Sequence, residues 1–173
     1  MTTDPAQLAE GGKRAFEGRE FDKAAELFQQ AAEGFSLGRN GLLAAEMRNN
    51  LSVALLKMNR PQEALDAALG TDAIFAGAGD LGRQAMALGN QAAALESLRR
   101  LDDALEKYEQ SAELFGRAGE GDMRSLVMKS AAAIKLKTGR VSESAFKMMG
   151  ALDAKDKPTL LERLLKFFLR FIK

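Results

Sequence analysis

The chain has no cysteine, no histidine and no tryptophan among its 173 residues. Without cysteine there are no disulfides and no thiol chemistry, and nothing in the sequence supports secretion. Losing Cys and His together removes nearly every zinc, haem and nucleophile–base arrangement, so no metal and no cofactor is expected. Proline is scarce, with 3 residues, and β-branched residues are few beside alanine, leucine, glutamate and lysine. That balance favours helix throughout. No apolar run approaches the roughly 18 residues that would span a bilayer. The N-terminus, MTTDPAQLAE, lacks the basic and apolar regions of a signal peptide. These absences predict a cytoplasmic protein.

The formal net charge is +1, so no global field points to nucleic acid. The total hides a split. Residues 155–173 carry six Lys/Arg against two Asp/Glu, a net of +4, which leaves −3 for residues 1–154. Local asymmetry of this kind marks interaction tails.

What the chain does have is a repeat. Leu101–Gly119, LDDALEKYEQSAELFGRAG, lies over 61–79 when moved back 40 residues, and over 21–39 when moved back 40 more. Moved forward by 40 it lies over 141–159, where the match fades after Leu152. Ala24, Ala64, Ala104 and Ser144 fall in one column, and Phe35, Phe75 and Phe115 in another. A fixed period over four copies is the signature of a solenoid, an architecture that offers surfaces more often than reaction centres.

Each copy reads as two antiparallel helices. Asp4 and Pro5 form an N-cap and a first helical position. The spacing then predicts helices over 21–37 and 41–58, one from Pro61 through the rest of its repeat, and one over 80–98 capped by Asp80. Further helices are predicted over 101–117, 121–138 and 141–153. Gly12, Ser52, Ala92 and Ala132 share a small-residue position on the first helix of each copy, and Ala24, Ala64, Ala104 and Ser144 one on the second. Small side chains let helices approach to about 8 Å. Phe28, Tyr108 and Met148 are large enough to fill the space between copies.

These columns resemble the tetratricopeptide repeat over residues 5–153. The unit here is 40 residues rather than the usual 34, which adds about 9 Å of helix to each hairpin. The long form is similar to the repeats of kinesin light chains and Pins-type adapters, through Asn49-Asn50-Leu51-Ser52 and Gly89-Asn90-Gln91-Ala92. Repeat 2 departs from the pattern, with Ala68 and Thr71 where an aromatic and an alanine are expected. The resemblance implies an all-α, right-handed superhelical solenoid of four helix hairpins, at about 5–39, 40–79, 80–119 and 120–153. Residues 1–153 then form one domain, 154–158 a linker and 159–173 a C-terminal amphipathic helix.

The resemblance also implies a concave groove in which Asn50 and Asn90 bind the backbone of a peptide, since an amide offers both a donor and an acceptor. Asn49, Lys13, Phe16, Glu46, Val53, Leu56, Met86, Lys129 and Leu136 are the other expected lining residues. Their mixture suits an amphipathic peptide or helix. The arrangement that clamps a C-terminal carboxylate is absent, because Ala9 stands where its first lysine would be. The implied function is a non-catalytic protein–protein interaction adapter. A homo-oligomeric scaffold is the alternative.

Two chemical motifs have plainer readings. Gly77–Gly82 spells G-x-G-x-x-G, but a dinucleotide fingerprint follows a strand and here a helix precedes it. Asp102-Asp103 and Glu10 with Glu17 are solvated charge in turns and on helix surfaces rather than acid–base pairs.

The tail departs most from the repeats. Pro158 and Thr159-x-x-Glu162 start a helix with a capping box. On a helical wheel Glu162, Arg163, Lys166, Arg170 and Lys173 share an arc of about 100°. Nine apolar residues occupy the other side, including Leu161, Leu164, Leu165, Phe167, Phe168, Phe171 and Ile172. Three roles fit: a cap on the last repeat, attachment to an anionic membrane surface such as the inner membrane face, or self-association.

Overall fold

The computed structural model describes residues 4–139, and all of their regular structure is helical. The expected helix over 141–153, with Ser144 and Met148, lies outside the described residues, as do the linker and the C-terminal segment. The described residues fall into two compact units, which divide between Ala131 and Ala132.

Eight helices are described: α1 Pro5–Glu17, α2 Phe21–Leu37, α3 Gly41–Lys57, α4 Pro61–Ala68, α5 Thr71–Gly77, α6 Leu81–Ser97, α7 Leu101–Ala118 and α8 Gly121–Lys137. None among them is long and apolar enough to cross a membrane. Side-chain oxygens cap three of the first helices of the repeats. Asp4 accepts from the Ala6 N–H at 3.0 Å, Asn40 from Leu43 at 3.2 Å and Asp80 from Arg83 at 2.9 Å.

The turns carry a finer period than the 40-residue repeat. Arg19, Arg39, Asn59, Gly79, Arg99, Gly119 and Gly139 all have left-handed backbone, 20 residues apart. The residue after each, from Glu20 to Glu120, returns its N–H to the carbonyl five positions earlier at 2.8–3.0 Å. This closes the last turn of each helix in a Schellman-type bond. Three arginines and an asparagine tolerate a conformation that costs a side-chain-bearing residue about 1–2 kcal/mol.

Within the first unit α1 packs on α2, α2 on α3, α3 on α4 and α6 on α7. The small-residue columns lie at these contacts. Ala24, Ala64 and Ala104 are 0% exposed, and so are Ser52 and Ala92. At Gly12 the approach is close, since a methyl there would stand 2.7 Å from the Phe28 ring.

The second helix of repeat 2 is not continuous, as its pattern predicts, but breaks between α4 and α5. Leu69 is extended and Gly70 is left-handed at φ +79°. Gly70 stands where repeats 1 and 3 have Gln30 and Gln110, and glycine costs about 1 kcal/mol in a helix interior. Ala68 also stands where repeats 1 and 3 have the large Phe28 and Tyr108.

Neighbouring side chains take up the carbonyls that the break frees. Arg48 donates to the Leu69 carbonyl at 2.8 Å, and Gln91 donates to Ala68 at 3.1 Å and to the Asp72 carboxylate at 2.8 Å. Thr71 gives its hydroxyl proton to the Ala68 carbonyl at 2.7 Å, and the Asn49 side chain lies 3.2 Å from the same hydroxyl. The one hydroxyl proton is shared between the Ala68 carbonyl and the Asn49 Oδ1, with the shorter bond to Ala68. Thr71→Val and Gln91→Leu should each cost about 1 kcal/mol in chemical denaturation. The double variant should exceed their sum by about 1 kcal/mol, because only then is the Ala68 carbonyl orphaned. Additive effects would show that the carbonyl is not held jointly.

Candidate functional site

Helices α3, α6 and the start of α8 line a groove over the second helices. Its larger pocket, about 590 Å³, has Glu46, Asn50, Val53, Met86, Asn90 and Ala93 on one side and Met123, Leu126 and Val127 on the other. Phe75, Tyr108 and Phe115 also line it. A second pocket of about 280 Å³ adds Lys13, Phe16 and Phe28, and shares Glu46, Asn50 and Val53 with the first. The shared residues make the two continuous along α3. Met86 at 44% and Leu126 at 57% exposure give the groove an apolar surface that water now covers.

Charge in the groove is largely cancelled. Arg83 pairs with Asp80 at 2.7 Å and with Glu46 at 3.5 Å, and its guanidinium lies 5.2 Å from the Phe75 ring centre. Lys13 donates to Glu10 at 2.9 Å, a bond that raises the lysine's pKa and lowers the carboxylate's. Steering by net charge is therefore weak here, and recognition falls to shape, apolar contact and amides.

The sequence singles out Lys13, Phe16, Glu46, Asn50, Val53, Met86 and Asn90, and the structure brings them together. Leu56 is half-buried and Lys129 exposed, and neither lines the two pockets. Leu136 is exposed near the end of α8, within the second unit. Asn49 touches the pocket but is only 6% exposed, and its amide is engaged with Thr71. Gln91, beside Asn90, is likewise locked into the break.

Asn50 and Asn90 differ from these neighbours. Both are half-buried, and neither side-chain amide has a protein partner among the described residues. The sequence reading missed Arg83, Met123, Leu126 and Ser130 as lining residues. Phe75, Phe115 and Tyr108 were legible as packing columns, but not as the groove's floor.

The glycine run at 77–82 joins two helices. Gly77 ends α5, Gly79 is left-handed at φ +72° and Gly82 lies in α6. It forms a turn, as its context predicts.

A stack of helix hairpins defines a helical-repeat protein. The family model of the soluble NSF attachment protein (SNAP) matches residues 18–151 of the 173, and the chain belongs to that family of non-enzymatic adaptors. No curated protein and no solved structure matches the chain. The finer likeness to kinesin light chains and Pins-type adapters rests on the 40-residue unit and the two asparagine segments.

Tyr108 reports on this groove. Its hydroxyl donates to Glu96 at 3.2 Å. Burial, and then the nearby Glu96 carboxylate, push its pKa up to about 12. The folded state therefore keeps a proton between about pH 10 and about 12 that the unfolded chain has released, so stability falls as pH rises through that window. The chain has one tyrosine and no tryptophan, so phenolate absorbance reads this group alone. We expect a midpoint near 12 in the folded protein and near 10 in denaturant. A folded midpoint near 10 would contradict the buried environment.

Proposed function

We propose that this chain is a non-catalytic adapter that holds an apolar-faced peptide or helix from a protein partner in the groove of α3, α6 and α8. The observation that carries the reading is the pair of amides, Asn50 and Asn90. They occupy the same position in successive repeats, border apolar surface and have no protein partner among the described residues. Their neighbours Asn49 and Gln91 are used to hold the break. An amide half-removed from water and left without a protein bond is suited to a ligand's backbone. Met86, Met123 and Leu126 supply adaptable apolar contact for the ligand's buried face.

The chemistry of the groove favours binding over turnover. Glu46 pairs with Arg83, Lys13 pairs with Glu10, and Tyr108 is held protonated. The tail, residues 159–173, serves to localise or assemble the adapter, through an anionic membrane surface at the inner membrane face or through another copy. We place the protein in the cytoplasm on the same reading.

The test uses a peptide selected by display against the full chain, whose binding Met86→Glu abolishes. Asn50→Ala with Asn90→Ala should weaken that peptide by about 1–3 kcal/mol while leaving the melting temperature unchanged. Unchanged affinity would reject the amides as backbone ligands.

A further inference from the structure

The opposite face of the hairpins carries a larger opening than the groove. A cleft of about 1040 Å³ runs between α2 and α4 over α3. Five carboxylates line it: Asp22, Glu26, Glu33, Glu63 and Asp66. Arg48 and Arg60 are its cations, so its lining has a net charge of −3. Both cations are engaged, Arg60 by Glu63 at 2.7 Å and Arg48 by the Leu69 carbonyl at 2.8 Å. Glu26, Glu33 and Asp66 accept only from glutamines on their own helices, which leaves their charge whole.

The same place one repeat later shows why this cleft is open. There the opening is about 330 Å³. Leu65 stands where the first has Ala25, and Lys107 where it has Ala67. Larger side chains fill the second gap, and Lys107 cancels one of its acids. The first gap is both emptied by alanine and acidic. Solenoid packing alone requires neither property.

We propose that this cleft receives residues 159–173 of a second copy of the chain, assembling the protein through a contact separate from the groove. The charges are complementary, since that segment holds Arg163, Lys166, Arg170 and Lys173 against Glu162, a net of +3. The lengths agree as well. Asp22, Glu26 and Glu33 lie along one wall over about 16 Å of α2, and the four cations span about 15 Å when helical. Leu37, 86% exposed at the end of that wall, and Met58 offer apolar contact to the segment's leucines and phenylalanines. A cap on a repeat or a dock in the neutral groove would leave the four cations unmatched. This inference does not depend on the groove being a binding site.

Charge reversal tests it in the full chain, by sedimentation velocity over a range of concentrations and salt. The protein should self-associate at low salt and dissociate as salt rises. Glu26→Lys, Glu33→Lys and Asp66→Lys together should weaken association roughly tenfold or more, and so should Arg163→Glu, Lys166→Glu and Arg170→Glu together. The chain carrying both sets should associate again. Glu26→Gln with Glu33→Gln should give a smaller loss in the same direction, which covers a reversal variant that fails to fold. A protein that stays monomeric at low salt overturns the proposal, whether or not it sediments with anionic vesicles. So does failure of the combined set to restore association. Association that ignores the cleft substitutions but is lost with Met86→Glu would place the segment in the groove instead.

Discussion

The structure depends on close helix contact at small side chains. Ala24, Ala64 and Ala104 have no exposed surface, and they meet first helices whose matching positions are Gly12, Ser52 and Ala92. Helices settle at about 8–10 Å according to what stands at the contact, so repeating the same small residues repeats the same spacing. A large side chain enters only where its partner is small, as the Phe28 ring does at Gly12. Phe75, Tyr108 and Phe115 also line the groove. Ser52 marks how strict this packing is, since its hydroxyl is buried with no partner where Gly12 and Ala92 bring no polar atom.

The break in repeat 2 is where the helical pattern yields, and it decides which polar residues remain for a ligand. A helix interrupted at Leu69 and Gly70 exposes carbonyls that need donors. Arg48, Thr71 and Gln91 supply them. Each adjacent pair on the first helices is thereby divided between two tasks. Asn49 and Gln91 are buried in support of the break, while Asn50 and Asn90 face the groove. A rotation of about 100° per residue is enough to separate a structural amide from a binding one.

Most of the helices can be read from the chain, because capping residues, prolines and small columns are local signals. Asp4, Asn40 and Asp80 start helices where the pattern puts them. The break was not legible, because a single glycine inside a helical pattern is often tolerated, and the donors that stabilise Gly70's turn lie about 20 residues away on other helices. The left-handed backbone at Arg19, Arg39 and Arg99 escaped for a related reason. Arginine carries no conformational signal of the kind glycine does. Much of the groove was legible through its asparagines, but its floor was not, since a buried phenylalanine column looks the same whether or not a groove lies above it. The outer cleft needed the structure, because Ala25 and Leu65 differ in what they leave empty.

If small-residue contact sets the geometry, a large side chain there must act far out of proportion to its place on the helix. Chemical denaturation of Ala104→Leu beside Glu106→Ala measures this directly, since the first site is fully buried and the second exposed on the same helix. Ala104→Leu should lose about 1–3 kcal/mol and Glu106→Ala should stay within about 0.5 kcal/mol of the parent. Equal effects from the two substitutions would contradict the account.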